Sequence, residues 1–105
     1  MKAEELKGHL DLLLLATVHA GPAHGYAIVE TLRERSHGTF DLPEGTIYPA
    51  LHRLEDAGFL SSVWSEENGR RRRVYQLTSK GHRRLAKRQQ EWDHFARAVH
   101  AVVEG

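Results

Sequence analysis

Apolar positions in the first stretch of the chain keep a helical period. Leu6, Leu10, Leu13, Leu14 and Val18 recur at spacings of three and four, which lays them along one face. Leu12 and Leu15 widen that face, so a helix over residues 6–19 should be buried on more than one side. Ala20-Gly21-Pro22 ends it, because proline cannot continue the hydrogen-bond ladder. Residues 24–36 repeat the pattern with a narrower face of Ile28, Val29 and Leu32, and His37-Gly38 closes them. A third helix should start within Asp41-Leu42-Pro43-Glu44-Gly45 and run to Ala57, with Ile47, Ala50, Leu51 and Leu54 inward and Gly58 as its stop. Pro49 fits only if this helix begins near Gly45 or Thr46, where the missing N–H belongs to a tight first turn.

After Gly58 the period changes. Residues 59–65 have strand composition, and residues 73–77 alternate, with Tyr75 and Leu77 on one face. Between them stands Glu66-Glu67-Asn68-Gly69, and Asn-Gly between two such runs predicts a β-hairpin on a type I′ turn. The last element is a helix over residues 79–103, capped by Thr78 or Ser79. Leu85, Trp92 and Val99 recur every seven residues along it, with Phe95, Ala96 and Val102 beside them. Such a rod is roughly 37 Å long at 1.5 Å per residue.

The chain has 105 residues, enough for one modest core. It has no cysteine, which removes disulfides, thiolate metal sites and cysteine nucleophiles. The longest apolar run, residues 12–18, is far shorter than the ~20 residues that span a bilayer. The start, Met1-Lys2-Ala3-Glu4-Glu5, puts two acids ahead of that run and does not look like a signal peptide, so the expected location is cytoplasmic.

The net charge of +1 hides a steep asymmetry. Residues 1–67 hold 5 basic and 11 acidic side chains, whereas residues 68–105 hold 10 basic and 3 acidic ones. Residues 70–88 contain nine Lys or Arg and no acid. That layout suggests a polyanionic partner; a solvated face balancing the acidic half is the plainer alternative.

The order of elements supplies the decision. Three helices, a hairpin and a long helix make a mainly α fold with a β-hairpin: a winged helix-turn-helix, followed by a C-terminal dimerisation helix. In that architecture the second helix of the pair enters the DNA major groove and the hairpin, or wing, reaches the adjacent backbone. Arg70-Arg71-Arg72-Arg73 begins at the hairpin tip, where four guanidiniums cannot be core and are placed for phosphate contact.

The segment Gly45-Thr46-Ile47-Tyr48-Pro49-Ala50-Leu51-His52-Arg53-Leu54-Glu55 resembles the recognition-helix signature of PadR-type bacterial transcriptional regulators. His24-Gly25-Tyr26, and Arg73-Val74-Tyr75-Gln76-Leu77-Thr78-Ser79-Lys80-Gly81, resemble the same family's flanking motifs. The resemblance runs from about Leu10 to Val103. It implies a homodimeric DNA-binding repressor released by a small effector, of the subfamily with one short C-terminal helix. Some such proteins hold flat aromatic effectors against a tryptophan at a similar place, which makes Trp92 a candidate platform.

The expected units are a DNA-binding domain over residues 1–78 and a dimerisation helix over residues 79–105. Candidate DNA contacts are Gly45, Thr46, Tyr48, His52, Arg53, Arg70, Arg71, Arg72 and Lys80. Gly45 shapes the helix entry; Tyr48 either meets DNA or packs under the turn; Arg53 reads DNA or pairs with Asp56 or Glu55. Candidate partner or effector contacts are Leu85, Trp92, Phe95, Ala96, Val99 and Val102, since so small a domain cannot cover a helix of this length. The eight histidines show no ligand pattern that singles out a metal, and no cofactor is expected. Enzyme motifs are missing. The alternatives are an RNA-binding winged helix or a protein–protein adaptor. An RNA binder should expose stacking aromatics, whereas Tyr75 and Trp64 alternate into positions expected to face inward.

Overall fold

The computed structural model describes residue 6 and residues 8–105; the acidic start at residues 1–5 and Lys7 lie outside the described residues. The elements are α1 (Leu10–His19), β1 (Ala23–His24), α2 (Gly25–Arg35), α3 (Glu44–Asp56), β2 (Leu60–Glu67), β3 (Arg70–Leu77) and α4 (Ser79–Glu104). This is the expected winged helix-turn-helix with a long C-terminal helix, plus one short strand that the periodicity does not reveal.

The helix over Leu10–His19 begins later than the apolar pattern suggests. Gly8 has φ +88°, a conformation that side chains resist and a helix cannot contain. The pattern survives the break: Leu6 is buried, and its carbonyl accepts from His9 N–H at 2.8 Å. Leu14, Leu15, Thr17 and Val18 are all buried, so α1 is enclosed on more than one side. It packs against α2, α3, α4 and β3 and is the centre of the core.

The three strands form one antiparallel sheet in the order β1-β3-β2. β1 places Ala23 opposite Tyr75 and His24 opposite Val74. Two residues carry no period, which is why the sequence hides this strand. β2 and β3 pair along their full lengths, from Leu60 opposite Leu77 to Glu67 opposite Arg70. The turn is Asn68-Gly69 alone, with φ +52° and +75°, as a type I′ turn requires. Glu66 and Glu67, expected in the connection, belong to the ladder.

Helix α3 starts at Glu44, one residue earlier than Pro49 appeared to permit. Pro43 precedes it in extended geometry, and its carbonyl accepts from both Thr46 N–H at 2.9 Å and Ile47 N–H at 3.2 Å, a tight opening turn. Pro49 therefore lies past the first turn, and the exposed Gly45 gets no N–H bond from it. Ile47, Ala50, Leu51 and Leu54 face the core as expected.

Thr78 joins the wing to α4. Its hydroxyl accepts from Gly81 N–H at 2.9 Å as the helix cap and donates to the Gly58 carbonyl at 2.6 Å. From there α4 runs 26 residues, about 39 Å, and gives the molecule its 56 Å long dimension. Leu85, expected at a partner interface, is 8% exposed and belongs to the chain's own core. It lies within two turns of the helix start, where α4 still crosses α1. The packing thins beyond it: Trp92 is 41% and Val102 83% exposed.

Candidate nucleic-acid interface

An open groove of about 780 Å³ lies between the start of α2, the outer face of α3 and the wing. Glu44, Tyr48 and His52 line it from α3, and Trp64, Arg70, Arg72 and Arg73 from the hairpin. His24, Gly25 and Tyr26 form its end. Tyr48 and His52 of the α3 candidates thus share one surface with Arg70 and Arg72 of the wing, whereas Gly45, Thr46, Arg53 and Arg71 do not line it.

Tyr48 is seated by its neighbour. A Cβ on Gly25 would stand 2.5 Å from the Tyr48 ring, so only glycine lets the phenol lie against the start of α2. Tyr48 is nonetheless 36% exposed, so it both packs under the turn and faces the groove. Its hydroxyl titrates above the ordinary tyrosine range, first from burial and then from the Glu44 carboxylate, with Arg72 opposing. Burial, then Glu55, pushes Tyr75 in the same direction. In Tyr26 the hydrogen bond to Glu30 leads. All three phenols remain hydrogen-bond donors near neutral pH.

The arginines are not equivalent. Arg70 is exposed beside the turn. The Arg71 guanidinium lies 4.8 Å from the centre of the Trp64 ring, and that of Arg73 lies 5.4 Å from it. Arg73 also donates to Ser62 Oγ at 2.7 Å and stands 3.7 Å from Glu55 Oε2, while the Ser62 hydroxyl donates to the same carboxylate. Glu55 therefore serves the wing rather than Arg53, for which there is no ion pair among the described residues. Arg72 turns to His24, with Nη1 2.7 Å from Nε2.

Lys80 stands apart from the groove. It donates to the Ala57 carbonyl at 2.7 Å and lies 4.9 Å from the Phe59 ring, closing the end of α3. Thr46 is half-buried in the first turn, and His52 and Arg53 are exposed on α3.

Trp64 departs from expectation. It is 56% exposed, whereas Tyr75, on the same face of the hairpin and nearer the body, is 5% exposed. The outer half of the hairpin overshoots the helices, so alternation continues there with nothing to cover the inner face. The two-residue turn already fixes Trp64 opposite Arg73, a signal the sequence contained. His24 and Glu55 joined the site only through tertiary contact. With Trp64 exposed beside the arginines, the expectation that no stacking aromatic is available to RNA does not hold.

On α4, Trp92, Phe95, Val99 and Val102 are exposed and Ala96 is half-buried. The Trp92 ring meets His9 edge-on at 5.2 Å and Phe95 at 6.0 Å. Among the described residues, no three potential metal-ligating side chains converge, and no helix is long and apolar enough to cross a membrane.

Residues 14–87 match the family described as "Transcriptional regulator PadR-like family". The transcriptional regulator Rv3488 of Mycobacterium tuberculosis is 38% identical over 76 residues, which is 72% of this chain and 68% of that protein. A PadR family transcription regulator from Clostridium difficile superposes with a TM-score of 0.79 at 35% identity, covering 93% of this chain and 100% of the other. A PadR-like transcriptional regulator from Bacillus cereus gives a TM-score of 0.86 at 27% identity, covering 98% and 99%.

Proposed function

The chain belongs to the PadR-like family of transcriptional regulators, and on that premise we propose that it represses transcription as a homodimer on a palindromic DNA operator. One observation carries the reading: Tyr48 and His52 of α3 and Arg70, Arg72 and Arg73 of the wing line the same groove. A helix there meets base edges, and guanidiniums beside it meet the phosphates that flank them. Thr46, Tyr48, His52 and Arg53 are the proposed readers, and Arg70, Arg71 and Arg72 the proposed phosphate contacts. The test is a gel shift with the DNA upstream of the protein's own gene against RNA of the same sequence. Retention of the duplex alone supports the reading; equal or tighter RNA binding overturns it.

The dimer reading rests on the apolar row from Trp92 to Val102, which the chain leaves largely uncovered. We assign residues 1–78 to DNA binding and residues 79–105 to pairing, with the first turns of α4 shared through Leu85. Two-fold pairing repeats the α3 surface inverted, so the preferred DNA must repeat inverted too. Release by a flat aromatic effector near Trp92 and Phe95 completes the proposal, and mass spectrometry of co-purified small molecules tests it. A second reading has one observation in its favour. Exposed Trp64 beside Arg71 and Arg73 suits an unpaired base, which would stack on the indole.

A further inference from the structure

Trp64 meets two guanidiniums while its ring stays 56% exposed on the outer half of the hairpin. Arg73 stands directly opposite it in the ladder, and its guanidinium lies over the ring, 5.4 Å from the centroid. Arg71, two residues before it on the same face, lies over the ring at 4.8 Å. The two cations differ in what else they meet. Arg73 donates through Nε to Ser62 Oγ at 2.7 Å and has the Glu55 carboxylate 3.7 Å away. Among the described residues, Arg71 makes neither an ion pair nor a side-chain hydrogen bond. Glu66 faces Arg71 across the ladder, yet no ion pair joins them. The charge of Arg71 rests on the indole instead.

We propose that Trp64 is a positioning residue for duplex binding: its exposed ring holds Arg71 ready for a backbone phosphate. The inference rests on the reading of the groove as a DNA interface. Ordering an exposed arginine at a phosphate costs rotamer freedom, and a group that orders it beforehand lowers that cost. An aromatic face suits this work better than a carboxylate. A carboxylate neutralises the guanidinium and must be displaced by the incoming phosphate, whereas the ring attracts the cation and leaves its charge in place. Arg71 does not line the groove, but Trp64 does. A guanidinium 4.8 Å from that ring therefore stands at the groove's rim, where the phosphates beside a helix in the major groove pass. The neighbouring arginines are held in other ways, Arg72 against His24 and Arg73 against Ser62 and Glu55.

Two substitutions at this exposed position separate the ring's electrons from its bulk. Trp64→Leu keeps an apolar side chain and removes the aromatic face; Trp64→Phe keeps a smaller aromatic face. Both should melt like the parent by circular dichroism. In the free protein, nitrogen relaxation of the Arg71 Nε–H should show a restrained side chain in the parent and in Trp64→Phe, and a mobile one in Trp64→Leu. Trp64→Leu should bind every duplex more weakly, by about threefold per wing and about tenfold in a symmetric dimer. Its slope of log K against log salt should stay parental, because no charge is removed, whereas Arg71→Ala flattens the slope. Trp64→Phe should recover most of the affinity. In an Arg71→Ala background, Trp64→Leu should cost nothing further. Parental affinity in a folded Trp64→Leu variant, or an Arg71 side chain equally mobile in parent and variant, overturns the proposal. An equal loss with and without Arg71, or one confined to unpaired strands, assigns the indole to direct stacking on a base and overturns it too. A parent that does not retain duplex overturns the interface reading itself, and the proposal with it, before any variant is compared.

Discussion

Arg73 of the wing reaches Glu55 of the third helix, with Nη2 3.7 Å from Oε2 and the Ser62 hydroxyl bridging the two. The contact ties the hairpin to the helix it flanks, so one carboxylate adds to the packing that sets the angle between two proposed DNA-binding elements. Both side chains are partly exposed, so the pair itself contributes less than about 1 kcal/mol to stability.

Glu55→Gln separates geometry from charge. Removing an acid beside the groove should by itself leave binding to random DNA equal or stronger. Loss of the strut should lower preference for the operator. The expected outcome is a reduced ratio of operator to random affinity at nearly unchanged melting temperature, read by fluorescence anisotropy and circular dichroism.

The arginines at the tip should supply affinity without sequence choice, since phosphates carry no sequence information. Replacing Arg70 and Arg71 with Ala should weaken all duplexes alike. Each lost contact should flatten the slope of log K against log salt by roughly 0.9, doubled in a symmetric dimer. An unchanged slope would remove the wing from the interface.

Gly25→Ala addresses Tyr48 without touching its hydroxyl. The added methyl would lie 2.5 Å from the ring, and the ring, partly exposed, can swing outward. Operator binding should fall as it does in Tyr48→Ala, with a smaller effect on random DNA. Equal losses on both would make Tyr48 a positioning residue rather than a reader.

Val99→Glu, on the exposed part of α4, should convert a dimer to a monomer and weaken operator binding, as seen by light scattering and gel shift. Truncation after Gln90 should do the same while retaining Leu85 in the core. A dimer that survives both changes at micromolar concentration must be held elsewhere.

Alkali should destabilise the fold through Tyr75. Burial raises its hydroxyl above the ordinary value near 10, so the folded state favours the protonated form. That contribution is complete below pH 10 and is lost as pH rises through the folded value. Tyr75→Phe should therefore melt less steeply with pH above 10, as followed by circular dichroism.

Local chemistry made much of this molecule legible in its sequence. Asn68-Gly69 specifies its turn because both residues accept positive φ, and Thr78 caps α4 because its hydroxyl needs only an amide three residues on. Ile47, Ala50, Leu51 and Leu54 find the core because a helical period fixes their face. The positions of the proposed recognition helix and of the basic wing followed from that order of elements.

Where an element stops being covered is a different kind of fact. Alternation put Trp64 on the same face as Tyr75, but only the reach of the helices decided that one is buried and the other exposed. The seven-residue row treated Leu85 and Trp92 alike, and the crossing of α1 separated them. The pairing of Arg72 with His24, and of Arg73 with Glu55, joins residues that no period relates. Periodicity records which way a side chain points from its own backbone. What it meets there is set by the packing of other elements, and this is why the contact of Arg72 with His24 and the strut at Glu55 are tertiary facts.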